Sequence, residues 1–218
     1  MRKFHDLIEG YYRFRGNEWI EERDSWSKLA EGQTPAVMVI ACSDSRVDPA
    51  QIFDTLPGEI FVVRNVANLV PPFETGGGHH GVSAALEFAV TQLEVSDVVV
   101  MGHGACGGCK AALTQGFAHA PQGEGGFVSD WVSLLDEARE KVIANHGDAA
   151  DADAMREMEL ESVRTSIANL RTFPFVTKRE DAGKLTLRGA YFAIADGVLH
   201  LMDENGEFKP AAPALAAA

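Results

Sequence analysis

The sequence VMVIACSDSR, at residues 37–46, decides the fold of this chain. Its first four residues are apolar and largely β-branched, a pattern that is typical of a buried strand. A thiol, a carboxylate and a guanidinium follow on Cys42, Asp44 and Arg46. Because ligands of α/β proteins collect beyond the carboxyl ends of parallel strands, the stretch predicts a strand with a site at its end. The alternative for this stretch alone is a buried structural Cys42 followed by a solvated turn.

Two later apolar runs, at 60–63 and 98–101, have the same strand character. Each is followed by polar groups, which read RNVAN at 64–68 after the first run and GHGAC at 102–106 after the second. Between them, apolar positions three and four residues apart predict a helix over 81–92. Strands that alternate with helices predict an α/β fold with a largely parallel sheet.

The C-terminal half predicts three more helices and one hairpin. The helices are expected at 106–114, 127–145 and 151–171. Strand patterns at 185–187 and 191–194 are interrupted at Gly189, and Asp196-Gly197 is a turn signal that pairs 198–202 antiparallel with the preceding strand. The predicted architecture is therefore a mostly parallel central β-sheet with one antiparallel edge strand, flanked by helices.

Residues 1–208 are predicted to form a single domain. Residues 1–31 read as a helical arm in which aromatic side chains alternate with charges. This apolar load favours a dimerisation arm that lies across a partner subunit, and packing on the arm's own core is the alternative. The Ala- and Pro-rich residues 209–218 are predicted to be a disordered tail.

The composition excludes several classes of function. The chain has 218 residues and a net charge of −13, whereas a nucleic-acid surface needs a basic stripe. The sequence contains no apolar run near the roughly 18 residues of a membrane span. The N-terminus is polar and lacks the apolar segment of a signal peptide, so a cytoplasmic location is expected.

A metal site is predicted where the strand ends meet. Cys42 ends one buried run, and His103 and Cys106 follow another, so the three side chains converge if the strands are neighbours. Two thiolates and an imidazole suit Zn²⁺, and three protein ligands leave the open position that catalytic zinc keeps. Cys106 precedes a predicted helix, whose N-terminus favours the thiolate.

A redox site is the competing interpretation of the same residues. The sequence CGGC at 106–109 has the C-x-x-C spacing of thioredoxin-like proteins. This interpretation leaves His103 and Cys42 without a role, so the zinc interpretation is favoured. Cys109 is then expected to be a small buried residue.

The motifs CSDSR at 42–46, RNVAN at 64–68 and GHGACGG at 102–108 together resemble the β-class carbonic anhydrases, a likeness that runs from about residue 33 to 202. The resemblance implies a zinc lyase, a carbonate dehydratase, that reversibly hydrates carbon dioxide to bicarbonate and a proton through zinc-bound hydroxide. It also implies a homodimer or a dimer-built oligomer such as a tetramer.

The resemblance also implies roles for particular residues. The zinc ligands correspond to Cys42, His103 and Cys106. Asp44 corresponds to an aspartate that either pairs with the arginine matching Arg46 or binds the metal as a fourth ligand. These two residues are the implied catalytic pair.

Within the family the chain is similar to the plant-type subgroup, whose substrate pocket lies at the dimer interface. The implied pocket residues are Gln33, Phe61, Val66, Phe88 and Gly107. Phe88 stands where that subgroup often has tyrosine, and Gln92 stands where a histidine, a suggested proton shuttle, can occur. The other subgroup has a tryptophan at the position of Val39 and a tyrosine near Phe192, which form a regulatory bicarbonate pocket, and both are missing here.

Two other functions remain open for this sequence. The same fold and metal can hydrolyse carbonyl sulfide or carbon disulfide. Alternatively, the chain is a non-catalytic zinc-binding module whose site is closed by Asp44 bound permanently to the metal.

Overall fold

The computed structural model describes residues 2–76, 78–147 and 150–212. The chain divides into two compact units, with the boundary between Thr34 and Pro35. The predicted arm at 1–31 falls within the first unit, and the assignment of 1–208 to one domain stays a prediction.

The first unit consists of α1 (Phe4–Gly16), α2 (Glu18–Glu21) and α3 (Arg23–Leu29). Phe14 of α1 packs edge-to-face on Trp26 of α3, with ring centroids 5.6 Å apart. Phe4, Leu7 and Tyr12 of α1 each expose more than half of their surface. The helical prediction for this arm is confirmed, and its role in dimerisation remains a prediction.

The second unit is built on a six-stranded sheet with the strand order β2-β1-β3-β4-β5-β6. The strands are β1 (Val37–Cys42), β2 (Ile60–Asn65), β3 (Asp97–His103), β4 (Thr186–Ala193), β5 (Val198–Met202) and β6 (Phe208–Pro210). The first four strands in the sheet pair in parallel, and β5 and β6 pair antiparallel. The predicted fold class, an α/β fold with a mostly parallel sheet, is confirmed.

The antiparallel edge differs from the prediction in two ways. β4 continues through Gly189 because Met202 of β5 packs there, and a Cβ at Gly189 would lie 2.8 Å from the Met202 Cβ. The edge also contains two antiparallel strands rather than one, since β6 includes the first two residues of the predicted tail, 209–218, and pairs with β5. Residues 213–218 of that tail lie outside the described residues.

Seven helices of the described residues flank the sheet: α4 (Pro49–Ile52), α5 (Gly81–Thr91), α6 (Gly107–Thr114), α7 (Gly126–Val132), α8 (Asp136–His146), α9 (Ala152–Leu170) and α10 (Pro174–Asp181). The helix predicted at 127–145 is two helices, α7 and α8, with a 3-10 turn between them. α10 was not predicted, although Pro174 at its first position is a helix-start signal.

The side chains of β1 alternate between apolar clusters, as the pleat of a strand requires. Met38 and Ile40 lie in the cluster that α5, α9 and α10 cover, whereas Val39 and Ala41 lie in a smaller cluster with residues of β3 and β4. Cys42, at the end of the strand, belongs to a third cluster beneath α6 and α8. β1 thus places its last side chain among buried groups at the carboxyl edge of the sheet.

The start of α6 packs against a 3-10 turn at Val66–Asn68 that follows β2. A Cβ at Gly108 would lie 2.6 Å from the Val66 Cγ1 and 2.9 Å from the Ala67 Cβ. Ala67 has a left-handed backbone, with φ of 62°, so the turn has little freedom to withdraw. Glycine at position 108 therefore sets how closely α6 approaches the end of β2.

Replacing Gly108 with alanine is expected to lower the free energy of unfolding by about 1–3 kcal/mol, because the added methyl overpacks this contact. Gly107→Ala is the matched control, since a Cβ there meets nothing within 4 Å. The control should change the free energy of unfolding by less than about 0.5 kcal/mol. Urea titrations measure both variants, and equal stabilities would contradict the packing argument.

Candidate active site

The structure brings together the three predicted metal ligands. Cys42 ends β1, and His103 ends the neighbouring parallel strand β3. Ala105, with a left-handed φ of 55°, turns the chain so that Cys106 becomes the N-cap of α6. The ligand atoms of the three residues lie within 4.8 Å of one another, and the two Sγ atoms are 4.0 Å apart.

The residues present fit a zinc ion. The His103 ring is buried, its Nδ1 lies 2.9 Å from the Gly104 carbonyl oxygen, and its Nε2 has no hydrogen-bond partner among the described residues. A buried polar atom without a partner is unusual. Here the His103 ring lies close enough to the Cys42 and Cys106 thiols for one metal ion to bind all three. The Gly104 carbonyl favours the tautomer that leaves Nε2 free to coordinate, as outer partners of metal-binding histidines do.

Both thiols of this group hold their protons tightly in the metal-free protein. The hydrogen bond with Cys106, followed by burial, raises the pKa of Cys42 to about 12. The contact with Cys109 is the largest cause that raises the pKa of Cys106 to about 12. The helix N-terminus was predicted to lower the pKa of Cys106, but the Cys109 thiol and burial raise it, although the hydrogen bond with Cys42 lowers it. Metal binding must release these protons, which makes zinc affinity fall as the pH is lowered.

Asp44 and Arg46 form a two-pronged ion pair beside the three ligands. Arg46 donates from Nε to Asp44 Oδ1 at 2.9 Å and from Nη2 to Asp44 Oδ2 at 2.7 Å, and its backbone N–H donates to Oδ1 at 3.0 Å. Nη2 also donates to the Ala105 carbonyl at 3.0 Å, between His103 and Cys106. The Arg46 guanidinium holds the pKa of Asp44 well below its usual range. Of the two implied arrangements of Asp44, the structure contains the one paired with Arg46.

The predicted pocket residues are placed in part. The Phe61 ring on β2 packs on Phe88 of α5, with centroids 5.9 Å apart. Val66 lies in the turn against α6, and Gly107 is the first residue of that helix, next to Cys106. Gln33 belongs to the first unit. Contact between substrate and any of these five residues remains a prediction.

The structure adds residues that the sequence analysis did not assign to the site. Arg64 of β2 donates hydrogen bonds to the loop after β1, and it could have been found as the first polar residue after a buried run. Glu159 of α9 is buried, accepts from the Cys106 backbone N–H at 3.0 Å and accepts from the Tyr191 hydroxyl at 2.9 Å. A carboxylate flanked by apolar residues in a predicted helix was the available signal for Glu159. Burial, followed by the charge of Glu159, raises the pKa of Tyr191.

Known proteins are similar to this chain in sequence and in fold. The family model described as carbonic anhydrase matches residues 37–199. The "Beta carbonic anhydrase 3" of Arabidopsis thaliana is 35% identical over 205 residues, which cover 94% of this chain and 79% of that protein. The solved β-carbonic anhydrase CcaA has a TM-score of 0.87 at 32% identity and covers 95% of this chain and 98% of its own. A solved structure of one of two tetrameric β-carbonic anhydrases of Sordaria macrospora has a TM-score of 0.77 at 26% identity. The match covers 96% of this chain and 98% of that one.

The α/β sheet carries at its carboxyl edge a Cys-His-Cys group that could hold a metal ion. The chain belongs to the β-class carbonic anhydrases, a family of lyases, as the resemblance of its motifs implied. Among the described residues, no helix is both long and apolar enough to cross a membrane.

Proposed function

We propose that this protein catalyses the zinc-dependent, reversible hydration of carbon dioxide to bicarbonate and a proton. The observation that carries the proposal is the combination of three converging ligands with an Asp44 that Arg46 holds in an ion pair. A fourth protein ligand would close the site, and the ion pair keeps the Asp44 carboxylate engaged elsewhere. An open fourth position is what separates catalytic from structural zinc.

Cys42, His103 and Cys106 would hold the zinc ion. Bound Zn²⁺ supplies a nucleophile near neutral pH by lowering the pKa of a water, to about 7 in the carbonic anhydrase that uses three histidines. The thiolates of Cys42 and Cys106 carry more negative charge than two imidazoles. These ligands therefore favour a pKa of the bound water above the value in the three-histidine enzyme.

Asp44 orients the attacking oxygen. Its carboxylate is ionised, and Arg46 fixes its direction through two side-chain hydrogen bonds and one from the backbone. An ionised carboxylate is a hydrogen-bond acceptor only, so it would accept a hydrogen bond from the O–H of the nucleophile and turn the oxygen lone pair towards carbon dioxide. Arg46 is itself fixed to the Ala105 carbonyl, which links this pair to the ligand-bearing turn.

The predicted pocket completes the proposal. Phe61, Val66 and Phe88 provide apolar walls for a small uncharged substrate and exclude excess water. Gln33 donates to an oxygen of bicarbonate, and Gly107 leaves space next to Cys106. The contact between the Phe61 and Phe88 rings supports two of these assignments.

We further propose a homodimer or a dimer-built oligomer such as a tetramer, located in the cytoplasm. The apolar side chains that α1 exposes support association, as does the Sordaria macrospora relative that is described as tetrameric. The three cysteines are free thiols, which fits a reducing compartment. The net charge of −13 supports a protein that binds neither nucleic acid nor an anionic membrane surface.

A substrate comparison tests the proposed reaction. The zinc-loaded protein is assayed with carbon dioxide, carbonyl sulfide and carbon disulfide under the same conditions. The proposal expects carbon dioxide to be turned over with the highest kcat/KM of the three. Faster hydrolysis of either sulfur compound would replace the proposed reaction, and no turnover of any substrate would favour the closed zinc-binding module.

The pH dependence of carbon dioxide hydration is expected to follow a single titration between about pH 6.5 and 9. Val39 is buried on β1 and Phe192 is half-buried on β4, and neither side chain can donate a hydrogen bond to bicarbonate. Compared with the subgroup that has tryptophan and tyrosine at these positions, a regulatory bicarbonate ion here would lack two hydrogen bonds, each worth roughly 1.5–3 kcal/mol. The lowered pKa of Asp44 keeps its carboxylate ionised throughout this pH range. Asp44 therefore adds no second titration step to the activity profile.

Stopped-flow rates across this pH range, with and without added bicarbonate, check the expectation. Bicarbonate should act only as a product inhibitor. A steep loss of activity involving several protons below about pH 8 would show that the site closes by another route.

A further inference from the structure

We propose that Arg64 is a positioning residue that fixes the loop at 42–48, which carries Cys42, Asp44 and Arg46. Its expected effect on turnover rests on the proposed function, whereas its effect on metal binding does not. Arg64 lies on β2 opposite Ala41 of β1, so its side chain starts beside the end of the ligand-bearing strand.

Every nitrogen of the Arg64 guanidinium donates to this loop. Nε donates to the Cys42 carbonyl at 2.8 Å, and Nη2 donates to the Asp44 carbonyl at 2.6 Å and the Val47 carbonyl at 3.4 Å. Nη1 pairs with the Asp48 carboxylate at 3.0 Å. The Arg64 side chain is about three-quarters buried. A neutral or shorter side chain at this position would therefore leave buried carbonyl groups of the loop without a hydrogen-bond donor.

The other contacts of the loop do not duplicate this role. The Ser43 backbone N–H donates to the Asn65 carbonyl at 2.8 Å, and the Val47 N–H donates to the Asp44 carbonyl at 3.2 Å. Among the described residues, no other side chain from outside the loop donates to a carbonyl or carboxylate oxygen of the loop, and the Cys42 thiol has a separate contact with the Cys106 thiol. Arg64 therefore fixes two peptides at once, the one that sets the Cys42 thiol and the one that sets the Asp44 carboxylate.

Fixing these peptides determines where two reactive side chains point. The Cys42 thiol must reach the group formed with His103 and Cys106, while the Asp44 carboxylate must stay with Arg46. Outer hydrogen bonds of this kind orient metal ligands, and losing one typically weakens metal binding or activity 10- to 100-fold. The planar fork of arginine serves several carbonyls together, which the single ammonium of lysine cannot do.

The test compares Arg64→Gln, Arg64→Lys and the control Arg188→Gln in the full chain. Arg188 lies on β4 in the same sheet and pairs with Asp97, but its side chain is about twice as exposed as that of Arg64. Zinc affinity is measured by competition with a chelator, and the visible spectrum of the Co²⁺-substituted protein reports the coordination of the metal. Arg64→Gln should bind zinc about 10- to 100-fold more weakly and shift the Co²⁺ bands. The zinc affinity of Arg64→Lys should lie between those of Arg64→Gln and the wild type. Arg188→Gln should match the wild type in both zinc affinity and Co²⁺ spectrum.

Wild-type zinc affinity with an unchanged Co²⁺ spectrum in Arg64→Gln would overturn the proposal, even if thermal stability fell. An equal loss of affinity in Arg188→Gln would overturn it as well. If Arg64→Gln does not fold, Arg64→Lys decides by the same two measurements, and wild-type values for it contradict the positioning role. Failure of the proposed function would appear separately, as a wild-type protein that binds zinc normally but does not hydrate carbon dioxide.

Discussion

Replacing Cys106 with serine is expected to remove zinc from the protein and to reduce carbon dioxide hydration to background. Cys106 is one of three side chains in the metal-binding group, so its loss leaves only Cys42 and His103. A serine hydroxyl remains protonated at neutral pH and is a poor ligand for Zn²⁺, which prefers thiolate sulfur and imidazole nitrogen here. Metal analysis should find about one zinc per chain in the wild type, with Zn–S distances near 2.3 Å, and almost none in the variant.

Cys109→Ser is the matched control for this experiment. Cys109 is buried three residues further along the same helix and touches Cys106, but it does not belong to the metal-binding group. The control should keep both zinc and activity, with at most a loss of stability from the buried hydroxyl. Loss of zinc from Cys109→Ser would show that the ligand set is wrong and would favour the C-x-x-C interpretation.

Replacing Arg46 with alanine is expected to lower kcat by a factor on the order of 10²–10³ while zinc stays bound. The variant loses both side-chain hydrogen bonds to Asp44 and the anchor on the Ala105 carbonyl. The Asp44 carboxylate, without its partner, is then free to approach the fourth metal position and block it. Zinc content should remain about one per chain because none of the three ligands has been changed.

Arg171→Ala is a suitable control for the Arg46 variant. Arg171 also forms a paired contact with a carboxylate, Glu180, but that pair lies on the surface away from the ligand group. Surface ion pairs contribute little, so the control should retain wild-type turnover. Near-normal turnover in Arg46→Ala would mean that the Asp44–Arg46 pair is another such surface feature.

The parts of the fold that follow from local pattern were predicted well. β1 covers the apolar residues of the opening stretch because strands buried on both faces read as continuous apolar runs. The parallel register of β1 and β3 then brings Cys42 and His103 to one edge, so the metal-binding group also followed from strand ends.

The features that sequence reasoning missed depend on contacts between distant elements. Gly189 suggested a strand break, yet its missing side chain makes room for Met202 of the next strand. Glu159 meets the Cys106 backbone across 53 positions of sequence, and this contact depends on how α9 packs on the sheet. The pKa of Cys106 was predicted to fall at a helix N-terminus, but the neighbouring Cys109 thiol and burial raise it in the metal-free protein.

The most direct test of zinc-dependent carbon dioxide hydration is one stopped-flow measurement on the purified full chain. The hydration rate is recorded for the zinc-loaded protein, after removal of zinc with a chelator, and after zinc is added back. The account predicts rapid hydration that disappears with the metal and returns with it. A zinc-loaded protein that does not accelerate hydration, or a rate that is unchanged once the zinc has been removed, would contradict the account.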